Sequence, residues 1–141
     1  LFLGKSGTGK STHTGLWLLQ FSDCHLLNDD NPIVHVDSLG KQATVFGSPW
    51  SGKTPCYRKE SMTVGAFVRL EQAPQNEIEQ ERAAHAFATL LPSCSCLKQN
   101  KEIYNAIVTT VTELATLAPV YHLKCLPDRG ATELCRKTVE G

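Results

Sequence analysis

Gly4-Lys5-Ser6-Gly7-Thr8-Gly9-Lys10-Ser11 is the stretch whose reading decides the fold. It fits the pattern Gly-x4-Gly-Lys-Ser/Thr at every fixed position. Leu1-Phe2-Leu3 before it reads as the end of a buried strand, and Thr12 to Phe21 after it as a helix. Glycines let a backbone curl so that successive N–H groups point inward at an anion. A following helix adds free N–H groups and the positive end of its dipole. Gly4, Lys5, Ser6, Gly7, Thr8, Gly9, Lys10, Ser11 and Thr12 are therefore the candidate phosphate-binding residues. Lys10 would reach the terminal phosphates of a nucleotide, and the Ser11 hydroxyl would bind an accompanying Mg2+.

Working outward, Leu16, Trp17, Leu18, Leu19 and Phe21 are apolar on more than one helical face, which predicts a helix covered on several sides. His13 in its first turn is expected at the surface or at the cap. His25 to Asn28 reads as a second strand ending at Asp29-Asp30. An acidic residue at a strand tip beside a phosphate loop suits Mg2+, and a second carboxylate can take the proton of an attacking hydroxyl. Asp29, Asp30 and Ser11 are thus the candidate metal set, and Asp29, Asp30 and Lys10 the candidate catalytic set.

Ile33 to Asp37 and Ala43 to Phe46 alternate as an antiparallel hairpin around Ser38-Leu39-Gly40-Lys41. Gly47 to Arg58 is a long polar loop bearing glycine and proline, a length that favours a ligand role. Within it Ser51, Lys53 and Arg58 form a candidate second phosphate or acceptor loop. Trp50 and Tyr57 suit either stacking on a ligand or packing. Arg69 and Arg82 read as structural or surface residues. Thr63 to Leu70 predicts a strand, Asn76 to Leu91 a helix, Lys101 to Leu117 a second amphipathic helix, Val120 to Leu126 a strand, and Pro127 to Val139 a last helix. The order is α/β with a mixed sheet and flanking helices.

The chain has 141 residues, 41% apolar and 20% charged, within the range of one globular domain. Lys plus Arg and Asp plus Glu both number 14, which removes a whole-chain electrostatic case for nucleic acid or an anionic membrane. No apolar run reaches the ~20 residues of a membrane span. The six cysteines lack zinc-ligand spacing, and beside a nucleotide loop they read as free thiols of a reducing cytoplasm, several of them buried. The chain opens so close to the loop that residues 1–141 are expected to be a single domain shortened at its N-terminus.

The loop followed by an aspartate pair resembles the nucleotide-binding core shared by HPr kinase/phosphorylase and phosphoenolpyruvate carboxykinase. Thr12-His13-Thr14-x-Leu16-Trp17 and Pro49-Trp50-Ser51-Gly52-Lys53-Thr54 make it most similar to HPr-kinase-related proteins. The Glu-Ile-Arg-Gly-Leu-Gly-like run of HPr kinases is missing, and Gly47 to Arg58 occupies about that region. The resemblance implies an ATP- and Mg2+-dependent kinase that phosphorylates a serine of a protein or peptide, with Asp29 and Asp30 sharing the metal and general-base roles. Two alternatives stand beside it: a carboxykinase-like enzyme acting on a small acid, and a nucleotide-binding regulatory module that transfers nothing. Homo-oligomerisation is compatible with each reading.

Overall fold

A computed structural model describes residues 1–96 and 98–141. Among the described residues two sheets and four α-helices make a mixed α/β fold. The first sheet has the order β1 (Phe2–Leu3), β5 (Phe67–Gln72), β7 (Val120–Cys125), β6 (Glu77–Gln80). β1, β5 and β7 run parallel, and β6 closes the edge antiparallel. β2 (Ile33–Asp37), β3 (Gln42–Phe46) and β4 (Ser61–Thr63) form a separate antiparallel sheet.

Alternation along β5 and β7 sends neighbouring residues to opposite faces. Val68, Leu70 and Leu123 face α1 (Lys10–Gln20) and α4 (Arg129–Glu140), where Trp17, Leu134 and buried Cys135 meet them. Phe67 and Val120 face a second core. That core joins Ala86 and Leu90 of α2 (Ala83–Leu90), Val111 and Leu114 of α3 (Lys101–Leu117), and Ala43 and Val45 of β3. The helix–sheet layers thus bury Val120 on one face of β7 and Leu123 on the other. Arg136 of α4 forks onto Asp23 at 2.9 and 2.6 Å and lies 4.4 Å over the Phe21 ring, tying α4 to the end of α1.

Helix starts and stops follow local chemistry. The Asn100 side chain accepts from the Ile103 N–H at 3.1 Å to start α3, and Asp128 accepts from the Ala131 N–H at 2.9 Å to start α4. Pro119 follows the residue that ends α3.

Several sequence expectations are corrected. Residues 25–28 form no strand: the Asn28 Oδ1 accepts from the N–H groups of Asp30 and Asn31, and that turn replaces ladder pairing. The strand expected over 63–70 is two strands, because the chain leaves the second sheet after Thr63 and enters the first at Phe67. The helix expected from Asn76 starts at Ala83; Glu77–Gln80 is instead the edge strand paired with β7. There cross-strand pairing outweighs the weak strand propensity of Glu and Gln. α1 is not covered on several sides, since Leu19 is 84% exposed and Leu18 also faces solvent. Of the six cysteines only Cys135 is fully buried, and burial pushes its thiol up to about 12. No helix among the described residues is long and apolar enough to cross a membrane.

Candidate functional site

The Gly4–Ser11 loop leaves β1 at the carboxyl end of the parallel strands. Gly4, Gly7 and Gly9 have φ of 152°, 84° and 96°. At Gly4 the requirement is double, because a Cβ there would sit 2.6 Å from the Thr8 Oγ1 and 3.4 Å from the Leu70 carbonyl oxygen. The close approach of loop to sheet therefore needs a residue without a side chain.

Internal bonds hold the curl. Thr8 donates its N–H (3.2 Å) and its hydroxyl (2.8 Å) to the Lys5 carbonyl. Lys10 donates its ammonium to the carbonyls of Gly4 (2.6 Å) and Lys5 (3.1 Å), folding its charge back across the loop. Gln72, at the end of β5, donates to the Gly7 carbonyl at 3.2 Å. The Gln72 bond is not visible as a motif; only the apposition of β5 and the loop reveals it.

α1 begins at Gly9 without a side-chain cap and with no acidic residue in its first turn. Its first N–H groups therefore lack side-chain acceptors, a surplus of donors that suits an anion. Lys5, Ser6, Ser11 and Thr12 are exposed around them.

The first turn is anchored from below. His13, expected at the surface, is only 3% exposed. Its Nε2 accepts from the Trp17 indole N–H at 3.0 Å, and its ring meets the Phe2 ring edge-on at 4.8 Å. Burial pushes its pKa down to about 4, so the ring is neutral at pH 7. Its Nδ1 is buried with no hydrogen-bond partner. A core position for His13 was hidden because the i, i+4 His–Trp pair reads as polar-then-apolar in sequence.

Asp29 and Asp30 stand on the irregular segment that Asn28 organises. Asn28 donates to the Ser48 hydroxyl (3.0 Å) and the Trp50 carbonyl (2.8 Å), so it joins the aspartate turn to the long loop. Asp29 accepts the Thr54 N–H at 3.0 Å, and a Cβ on Gly52 would lie 2.6 Å from its Oδ2. The Asp30 carboxylate is exposed and has no hydrogen-bond partner among the described residues. The aspartate pair and Pro49–Thr54 are therefore one unit, although they lie far apart in sequence. No hydrogen bond among the described residues links that unit to the glycine loop. Nor is any group of three or more His, Cys, Asp or Glu gathered to hold a metal among them.

In the long loop the Ser51 hydroxyl donates to the Tyr57 hydroxyl at 3.1 Å, Lys53 is exposed, and Arg58 pairs with Glu60 at 3.4 Å. Trp50 and Tyr57 are 60% and 66% exposed, so neither belongs to a core. Arg69 pairs with Glu81 at 3.2 Å and Arg82 is exposed, as expected of structural and surface residues. The arrangement as a whole offers an anion cradle of main-chain donors with one lysine, and a separate carboxylate turn braced by a loop. No known protein family, characterised protein or solved structure matches this chain.

Proposed function

We propose that this chain is the nucleotide-binding core of an ATP- and Mg2+-dependent serine kinase, of the phosphoenolpyruvate carboxykinase/HPr kinase type. The observation that carries the reading is the start of α1: a glycine-curled loop, a helix with no side-chain cap, and a lysine folded over both. A triphosphate supplies the acceptors this donor surplus lacks. In this reading Gly4 to Thr12 hold the phosphates, Lys10 neutralises the transferring group, and Ser11 holds Mg2+ with one carboxylate of the Asp29–Asp30 pair. Bound metal supplies charge neutralisation on the phosphate oxygens.

The two aspartates divide by their surroundings. Asp29 is occupied with the Thr54 N–H and positions the long loop, whereas Asp30 keeps both oxygens open. Asp30 accordingly takes the serine proton as the hydroxyl oxygen bonds to the γ-phosphorus and the bond to the β-phosphate oxygen breaks. Ser51, Lys53 and Arg58 line the acceptor side.

That no hydrogen bond among the described residues links the aspartate unit to the glycine loop favours, as a second reading, a regulatory module that binds nucleotide and transfers nothing. Radiolabelled γ-phosphate transfer from Mg·ATP to a serine peptide library separates them. The kinase reading expects transfer by the wild type, and Asp30→Asn should bind ATP normally while transferring at least about a hundred-fold more slowly. Binding without transfer by the wild type supports the module, and failure to bind any nucleotide removes both.

A further inference from the structure

A loop that holds an anion by its main-chain N–H groups must turn its carbonyls away, and each turned carbonyl needs a donor. Four carbonyls of the glycine loop have one. Those of Gly4 and Lys5 take the Lys10 ammonium at 2.6 and 3.1 Å, and that of Lys5 also takes the Thr8 hydroxyl. That of Gly9 takes the His13 N–H at 2.9 Å, and that of Gly7 takes the Gln72 side-chain amide at 3.2 Å. Lys10, Thr8 and His13 belong to the loop or to α1, whereas Gln72 comes from the sheet. Among the described residues its bond is the one hydrogen bond that ties the segment 4–9 to β5.

That bond fixes a whole peptide plane. The Gly7–Thr8 peptide is trans, so its carbonyl and its N–H point in opposite directions. Gln72 holds the carbonyl on one side, and the Lys5 carbonyl accepts the Thr8 N–H at 3.2 Å on the other. The plane is thus clamped at both ends, between two glycines whose backbone would otherwise turn freely. The post behind the clamp is firm. Gln72 ends β5, where it pairs with Cys125 of β7, and the next residue, Ala73, donates its N–H to the Cys125 carbonyl at 3.1 Å. Glu71 before it lies on the opposite face, where it meets His122 at 2.7 Å, so Gln72 is the last side chain of β5 on the side of the loop. A bound triphosphate draws the Lys10 ammonium off the Gly4 and Lys5 carbonyls. Thr8 then still satisfies Lys5, and Gln72 still keeps the Gly7 carbonyl turned from the anion.

We infer that Gln72 is a positioning residue of the phosphate site: its neutral amide holds the Gly7 carbonyl against β5 and so keeps the N–H groups of the loop turned to the anion. The inference rests on the nucleotide reading above for the identity of the anion, but not for the clamp itself. The test titrates the full chain, Gln72→Ala and Gln72→Glu with Mg·ATP and, separately, with pyrophosphate. Amide NMR spectra and urea unfolding are recorded on the same three chains. Gln72→Ala should bind about five-fold more weakly than the wild type, the worth of one neutral hydrogen bond. Gln72→Glu keeps the shape but loses the donor and adds a charge beside the anion, so it should bind at least about twenty-fold more weakly. Both variants should shift the Gly7 and Thr8 amide signals of the free chain. Their unfolding midpoints should stay close to that of the wild type, because Gln72 is exposed. Equal affinity in all three chains, or unmoved Gly7 and Thr8 signals, overturns the inference and leaves the nucleotide reading standing. So does the reverse order, with alanine weaker than glutamate, because a side chain that only packs is better replaced by its isostere. The expected order for pyrophosphate, in a wild type that binds no Mg·ATP, supports the role of Gln72 and removes the nucleotide reading instead. A wild type that binds neither overturns both.

Discussion

The starts of α1 and α4 solve the same problem in opposite ways. Both helices pack on one face of the same sheet. α4 satisfies its first turn internally: Asp128 accepts the Ala131 N–H and also holds Asn76, which in turn accepts the Leu126 N–H. α1 starts at a glycine with φ of 96° and no side-chain cap, and its first residue, Lys10, is a donor. α3, capped by Asn100, behaves like α4, while α2 also lacks a side-chain cap but follows an ordinary extended residue, Arg82. A missing cap alone therefore distinguishes nothing. What separates α1 is the missing cap together with a curled glycine loop and a cation placed over it. The stability that α4 draws from its cap is, at α1, left to a ligand or to burial underneath.

Acid should expose that difference most strongly. His13 holds the underside of α1, and its folded pKa of about 4 lies below its ordinary value of 6.5. The folded state thus binds fewer protons than the unfolded one. Its contribution is complete above about pH 6.5 and is lost as pH falls toward 4, a change of about 3 kcal/mol. Asp23 works in a lower range, because the hydrogen-bonded Arg136 guanidinium holds its carboxyl below the ordinary value. Urea unfolding at pH 7 and pH 4 should show the His13 loss, and His13→Gln should flatten the pH dependence between them. An unchanged slope in that variant would contradict the role given to the ring.

Gly4→Ala comes next. It forces a side chain into a positive-φ position and against the Thr8 hydroxyl, for a cost of about 2 kcal/mol in chemical denaturation. Asp128→Ala should cost about 1 kcal/mol through the α4 cap and leave any ligand affinity of the α1 loop unchanged. If the two substitutions affected affinity alike, the contrast between the helix starts would fail.

Much of this was legible from the residues. Ile107, Val111 and Leu114 at helical spacing, with Pro119 beyond, marked α3 at the boundaries it has. The alternation of Ile33 to Asp37 and Ala43 to Phe46 marked the hairpin, whose second strand starts one residue earlier, at Gln42. Glu77–Gln80 was not legible as a strand, because its only apolar residue, Ile78, also fits the helical stripe that follows, and the deciding contact is with β7 far along the chain. The loop glycines announced their curl. The partnership of Asp29 with Gly52 and Thr54 did not appear, since it depends on how Asn28 folds two irregular segments together. Two local contacts also escaped the reading: the Asn28 turn that replaces a strand, and the His13–Trp17 bond that draws the ring into the core.

The direct measurement for the donor surplus at α1 is a calorimetric titration of the full chain with Mg·ATP, run beside Lys10→Ala. The account predicts binding by the wild type and an affinity lower by about a hundred-fold in the variant, the worth of a charge-assisted contact. Equal affinity in the two chains, or none in either, would contradict it.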